Sequence, residues 1–434
     1  MAKQVGFGEI GITGLPIHSG YVNEEFLTQL QGPRGMRVYK EMSSNDATIG
    51  AILFAVEHLT RTAIWQVEAA SDTPEAVEAA DWLRSIMDDM DGTWQELLTE
   101  MRTSLVYGWA YFEVVYKRRV GPDQKDKTKK SKYNDGMIGV RKIAIRAQDT
   151  LNRWEMSGSG DILGMWQDQL YGEKTGTLLI PMGKSLLFRT TSRKGSPEGR
   201  SLLRPAYESW YYLKHIRGYE AVGIERELAG LPVLRVPGAL MASTNASDVT
   251  VMNKYEQMVR DVRINEQGGI ILPSDVYMDS EGKPTQAKMY ELSLLSGEGS
   301  RSIDTDTVVR RYQRDIARSV LADFLMLGND GKGSYALSED KSSMFLDAIE
   351  TFNGQDAQVL NRNLIPNLWE YNSFDKDLMP RFKPGRVKKA DLGTLGTYIA
   401  DLMRAGAPMF PDDNLENHLR EEGGLPSKTD GALG

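Results

Sequence analysis

Two short stretches carry the residue types that cradle phosphate groups. LGNDGKGSYALSEDKSS, from Leu327 to Ser343, gathers Gly328, Asn329, Asp330, Gly331, Lys332, Gly333 and Ser334, and a second GKS stands at Gly183, Lys184 and Ser185. A phosphate loop needs G-x-x-x-x-G-K-[ST] after a strand: backbone N–H groups then wrap the phosphates while the Lys and the hydroxyl reach the outer phosphate and Mg²⁺. In the first stretch Lys332 is followed by Gly333, Gly328 stands too close, and the preceding segment has helical periodicity. In the second, Gly176 lies two residues too far upstream and a strand pattern follows. Neither is expected to bind a nucleotide, and a phosphotransferase using Lys332 or Lys184 is not expected.

Other chemistry is equally thin. His18, His58, His215 and His418 have no histidine three or four residues away, so no His pair on one helix face is available to a metal. The chain has no cysteine, which removes disulfides, thiol nucleophiles and thiolate sites and fits an intracellular origin. DDMDGTWQE, near Asp88, has calcium-loop residue types, but its glycine comes too early. We therefore expect no catalytic residue, no metal and no cofactor. The net charge of −8 argues against gripping nucleic acid over the whole surface, though not against DNA passing nearby. No apolar run reaches the ~18 residues of a membrane span, and MAKQVGFGEIGITG lacks the build of a signal peptide.

The elements around these stretches form an α+β pattern. At 434 residues and 41% hydrophobic content, two or three structural units are expected. Residues 1–42 are glycine-rich and weakly periodic, and we expect an extended arm. SSNDATIGAILFAVEHLTRTA offers Ser44, Asn45 and Asp46 as N-caps and lines up Ile49, Ile52, Leu53, Val56 and Leu59. IWQVEAAS reads as a strand, and PEAVEAADWLRSIMDDM and TWQELLTEMRTSLVYG as helices. GWAYFEVVYKRRV and GMIGVRKIAIRAQ alternate as paired strands, with further strands at DILGMWQDQL, TGTLLIPM and KSLLFRTT.

A long helix follows from SPEGRSLLRPAYESWYYLKHIRGYEAVGIERELAG, with Pro205 in its first turn and Gly230 and Pro232 at its end. SDVTVMNKYEQMVRDVR is a further helix, and GGIILPSDVYMDSEGKPTQAKMYELSLLSGEG a small β unit turning at Ser280, Glu281 and Gly282. DTDTVVRRYQRDIARSVLADFLMLG is a second long helix, with Val309, Tyr312, Ile316, Val320, Phe324 and Leu327 on one side. Ser338 is expected to cap a third, SEDKSSMFLDAIETFNGQDAQVLNRNLIPNLWEYN. ADLGTLGTYIADLMRAGA is helical, and the Gly/Pro/Ser-rich end is expected to fray.

Two charged segments admit two readings each. The loop GPDQKDKTKKSKYND carries Lys125, Lys127, Lys129, Lys130 and Lys132, either a DNA or partner contact or a solvated hairpin tip. Arg310, Arg311, Arg314 and Arg318, interspersed with Asp306, Asp315 and Asp323, form either an ion-pairing solvated face or a subunit interface or channel wall.

The order of elements resembles that of tailed-phage portal proteins. SSNDATIGAILFAVEHLTRTAIWQVE, LVYGWAYFEVVYKRR, SPEGRSLLRPAYESWYYLKHI and GIERELAGLPVLRVPG are similar to the portal branch related to the Mu-like phages, and the resemblance covers most of residues 35–370. It implies a portal-type fold: arm 1–42, α+β wing 43–200, stem helices 201–229 and 303–327, clip 230–302, tunnel loop 328–337, long wing helix 338–372 and a crown-like region 373–434. It implies a homo-oligomeric ring, dodecameric in such proteins, at one capsid vertex of the virion, assembled in the host cytoplasm. Its partners would be the terminase, the major capsid protein, head-completion or adaptor and tail proteins, and double-stranded DNA in the channel. Gly328 to Ser334 would then line that channel, where glycine keeps a crowded loop slim. The alternatives are a plain helix–helix connection for this loop, and for the chain a capsid-associated or adaptor protein without a channel.

Overall fold

The computed structural model describes residues 11–169, 176–229, 231–264, 271–295, 305–320, 335–387, 392–404, 416 and 419–420. Two compact units emerge, residues 1–207 with 314–434, and residues 208–313.

The first unit is built on the strand Trp109–Arg118, flanked antiparallel by Ile138–Arg146 and Ser185–Arg189. Its apolar run WAYFEVV is nearly continuous because both faces are covered. Ala110, Phe112 and Val114 enter a core with Leu83, Leu98, Met101, Leu368 and Trp369, while Trp109 and Tyr111 enter another with Trp154, Met165 and Ile180. Gly108 launches the strand at φ 92°, a left-handed conformation that glycine takes without strain, and its N–H closes the helix Thr103–Tyr107 on the Ser104 carbonyl.

A second antiparallel sheet joins Leu151–Met156, Ile162–Gln169 and Gly176–Pro181. Its first strand is not anticipated by the sequence pattern, since LNRWEM is half-buried on both faces and does not alternate. The Tyr111 hydroxyl donates to the Ile180 carbonyl at 2.9 Å, stitching the two sheets, and burial pushes its pKa up to about 12, so it stays a donor. Met182–Lys184 is a 3₁₀ turn leading into the strand Ser185–Arg189, as the rejection of a phosphate loop there anticipated.

Three expectations about helices need correction. Residues 32–42 are not extended arm: Gly32–Asn45 is a helix with Pro33 in its first turn. Asp46 alone of the three candidates then caps Ala47–Thr62, its carboxylate accepting from Thr48 and Ile49 N–H at 2.9 and 3.0 Å, because Ser44 and Asn45 already belong to the preceding helix. The third long helix starts at Tyr335, so Ser338 lies within it and not at its cap. It widens into a π-helical turn at Leu360–Leu364 ahead of Ile365–Asn372, where Pro366 has no N–H to continue the α pattern. Trp94–Met101, opened by a Thr93/Glu96 capping box, breaks at Arg102 from Thr103–Tyr107. A third core gathers Ile52, Val56, Leu105, Ala317, Val320, Phe345 and Ile349. Trp65–Glu68 finds its partner far away in Arg381–Pro384, and Leu392–Arg404 is helical as expected.

In the second unit the helix Tyr207–Ala229 starts six residues later than 201, since Leu202–Ala206 form turns and Pro205 precedes the helix. Leu231–Arg235 pairs with Glu291–Leu295, and the helix Ala246–Ile264 lies between them in sequence. The hairpin Val276–Met278 with Pro284–Lys288 turns where expected. Gly282 has φ 80°, and the Asp279 carboxylate accepts from Glu281 and Lys283 N–H at 2.9 and 2.8 Å. Residues 305–313 of the helix Thr305–Ser319 belong to this unit. Among the described residues no helix is long and apolar enough to cross a membrane.

Candidate functional site

Of the three groups singled out by sequence, the basic loop and the four arginines are fully described, and the basic loop is the more elaborately held. It joins Trp109–Arg118 to Ile138–Arg146, whose ladder closes at Arg118 opposite Ile138. Lys125, Lys127, Lys129, Lys130 and Lys132 are all exposed, and Lys127 and Lys129 bound a 3₁₀ turn capped by Asp126. None of the five has an ion-pair partner among the described residues.

Beneath these lysines the loop is fastened to the body. Lys117 and Asp89 form a salt bridge at 3.2 Å with their side chains only 4% and 3% exposed. The Asp89 carboxylate also accepts from the Ser131 hydroxyl and the Lys132 N–H, both at 2.7 Å, and the Lys117 ammonium donates to the Lys130 carbonyl at 3.0 Å. Buried opposite charges that also meet backbone groups fix a geometry, because breaking one contact strands the rest in low dielectric.

Arg119 is the second fastening. Its side chain is 2% exposed, pairs with Asp135 at 2.9 Å, donates to the Ser85 hydroxyl at 2.8 Å, and stacks its guanidinium over the Tyr133 ring at 4.1 Å. The loop base closes by Gly136 N–H to the Arg119 carbonyl and Arg119 N–H to the Met137 carbonyl, both at 2.8 Å. Asn372 then caps the exit, bonding both the N–H and the carbonyl of Ile138 at 2.7 and 3.0 Å.

Sequence inspection misses Asp89, Lys117, Arg119 and Ser131 as a group. The one available signal was the acid-rich DDMD around Asp88, legible only as a failed calcium loop. Among the described residues no group of three or more His, Asp or Glu could hold a metal ion.

The four arginines share the exposed side of Thr305–Ser319, and Ile316 and Val320 are buried as the apolar periodicity requires. Arg310 pairs with Asp306 at 2.9 Å and Arg318 with Asp315 at 3.7 Å, while Arg311 lies over the Tyr312 ring at 5.1 Å. Gly328, Asn329, Asp330, Gly331, Lys332, Gly333 and Ser334 lie outside the described residues. Lys184, from the second GKS, pairs with Glu113 at 2.8 Å, and the Ser185 hydroxyl donates to the Pro181 carbonyl at 2.9 Å.

One buried charge pair was not foreseen. Arg102, at the break between two helices, meets Asp356 of the long helix Tyr335–Val359, with both side chains under a tenth exposed. Burial pulls the Arg102 pKa down to about 10, which leaves it charged at neutral pH.

With this geometry in hand, the family is shown by sequence: residues 36–422 match the model described as the portal protein of Mu bacteriophage. The chain belongs to that family, and it functions as a portal, the structural component at one vertex of a phage capsid through which the genome passes. Two solved neck structures share the fold. The neck of a native gene transfer agent particle computed with C12 symmetry is 13% identical, with TM-score 0.50 over 92% of this chain and 95% of that one. The neck of an empty gene transfer agent particle computed with C6 symmetry is 12% identical, with TM-score 0.50 over 90% and 94%. A HK97 family phage portal protein from Corynebacterium diphtheriae is 12% identical, with TM-score 0.38 over 76% and 91%.

Proposed function

We propose that twelve copies of the chain close into a ring that forms the genome channel and the docking platform of the capsid vertex. The observation that carries the ring is the apolar side of the helix Tyr207–Ala229. Tyr212, Tyr219 and Val222 recur at helical spacing and are 46%, 74% and 45% exposed. A row of large apolar groups left in water on a long helix is stabilised when a neighbouring copy covers it, and head-to-tail covering generates rings where the rotation closes. The choice of twelve follows the C12 symmetry with which the similar neck structure was computed.

In this reading residues 43–200 are the wing, the helices within 201–229 and 303–327 the stem, 230–302 the clip, and 338–372 the long wing helix. The collar toward the channel would be Gly328 to Ser334, ahead of the helix that starts at Tyr335, and its Asp330 and Lys332 nearly cancel. The terminase, the major capsid protein and head-completion, adaptor and tail proteins dock around the ring. ATP hydrolysis for packaging belongs to the terminase, and the portal itself carries no catalytic step.

Native mass spectrometry of the purified protein tests the assembly. Closed rings with a twelve-subunit mass are expected. A monodisperse monomer at micromolar concentration would overturn the ring.

A further inference from the structure

We propose that the loop Gly121–Gly136 is a docking site for the phosphate backbone of double-stranded DNA, presented as a rigid block of lysines on an otherwise acidic protein. The inference goes beyond the portal assignment, which places DNA only in the channel.

Charge accounting within the loop is the first support. Between Gly121 and Gly136 stand five lysines and three aspartates, a net of +2 within a chain of −8. Two of the aspartates have hydrogen-bond or ion-pair partners other than the lysine ammonium groups: Asp126 accepts from the Thr128 N–H and hydroxyl at 2.9 and 2.7 Å, and Asp135 pairs with buried Arg119. The five ammonium groups are left to solvent.

Anchoring is the second support. Lysines on a loose tip lose side-chain and backbone freedom when they meet a ligand. Here the backbone part of that cost is met during folding for Lys130 and Lys132, because Asp89, Lys117 and Arg119 fix residues 130–136 from below, and the Asp126-capped 3₁₀ turn holds Lys127 and Lys129. The arrangement presents cations in a held geometry, as a repeating lattice of phosphates rewards.

The surface chemistry distinguishes DNA from an acidic protein. Protein interfaces centre on buried aromatic or aliphatic anchors. The exposed residues from Pro122 to Asp135 offer none: Tyr133 lies under Arg119, and the rest are lysines, Thr128, Asn134, aspartates and Pro122. Lysine ammonium, hydroxyl and amide donors without an apolar centre are the set that contacts phosphate oxygens without reading bases.

The test is binding of the full-length protein to a short duplex of random sequence, followed by fluorescence anisotropy across a salt titration. Each phosphate neutralised contributes ~0.9 to the slope of log affinity against log salt, so five contacts account for a slope of ~4–5. Their share of the affinity should fall on the order of 10²–10³-fold between about 50 and about 200 mM salt.

Replacing Lys125, Lys127, Lys129, Lys130 and Lys132 together by Gln should remove this share while leaving subunit folding and ring mass unchanged, since all five side chains are exposed. The corresponding Arg variant should retain it. A milder pair, Lys127→Gln with Lys129→Gln, should lower the slope by ~2. Duplex binding with unaltered affinity and slope in the Gln variants would overturn the proposal, whatever the state of the ring. Loss of binding to an acidic protein without loss of duplex binding would overturn it as well.

Discussion

The two units treat apolar surface in opposite ways. The body, residues 1–207 with 314–434, buries its tryptophans and leucines in three cores, with Trp109, Phe112, Leu83 and Leu368 wholly enclosed. In the unit 208–313, Trp210 and Leu213 are the buried large apolar side chains among the described residues, while Tyr211, Tyr212, Tyr219, Val222, Met241 and Tyr277 face solvent. Folding stability scales with apolar area removed from water, so the body stabilises itself, while the second unit leaves exposed apolar side chains that the proposed ring would cover. A difference in burial thus divides the labour: one unit holds shape, the other invites assembly.

The sharpest way to break this contrast is to attack the body at its most costly contact. Arg102 and Asp356 lie buried together, and removal of one partner leaves an uncompensated charge in low dielectric. Asp356→Ala should destabilise the subunit by about 3–5 kcal/mol, read from the shift of its denaturant midpoint. Replacing the pair by Arg102→Leu with Asp356→Leu should recover most of the loss, because two well-packed apolar groups need no compensation. Full stability in Asp356→Ala would mean that the pair is hydrated and that the body is not held from this point.

How much of the contrast could be read from the sequence depends on the range of the contacts. The strands around Trp109–Arg118 and Ile138–Arg146 follow from alternation and β-branched content, and the hairpin at Gly282 from its turn residues, all local signals. The resemblance to portal proteins was likewise legible in blocks of contiguous sequence. Leu151–Met156 and Arg381–Pro384 were not, since neither alternates strongly and the second pairs with Trp65–Glu68 over three hundred residues away.

The same holds at the site. Five lysines in a short run are visible to any reader of the chain, but their anchor is Asp89, more than forty residues upstream and hidden in an acidic cluster. A helical wheel shows the four arginines on one face, whereas the engagement of Arg310 and Arg318 with Asp306 and Asp315 is settled by side-chain geometry. Helix starts shifted for a related reason: Ser338 and Ser44 are good caps by type, but the backbone around them was already helical.

A smaller effect on the subunit, but a larger one on assembly, is expected in the second unit. Tyr219→Ser with Val222→Ser changes exposed groups, so subunit stability should move by no more than about 0.5 kcal/mol per site. The ring should nevertheless dissociate at higher protein concentration than the wild type, as mass photometry on dilution would record. If stability falls by several kcal/mol with the ring intact, Tyr219 and Val222 serve the subunit's own fold, and the two units do not divide stability and assembly between them.

The smallest effect belongs to the arginines of Thr305–Ser319. Arg310 and Asp306 are 60% and 68% exposed, and Arg318 and Asp315 57% and 42%. Such pairs gain little Coulomb energy in water, lose side-chain freedom and are screened by salt, so Arg310→Ala and Arg318→Ala should each cost less than about 1 kcal/mol of subunit stability. The informative comparison is between the free subunit and the ring. A solvated face predicts the same small cost in both, fading further as salt is raised. An interface predicts a small cost in the subunit and a marked, salt-dependent loss of ring mass, because a cation desolvated against a neighbour is costly to leave without its partner. Native mass spectra of both variants at low and high salt separate these outcomes. Unchanged ring mass throughout would remove the arginines from the assembly surface and leave the apolar side of Tyr207–Ala229 to hold it.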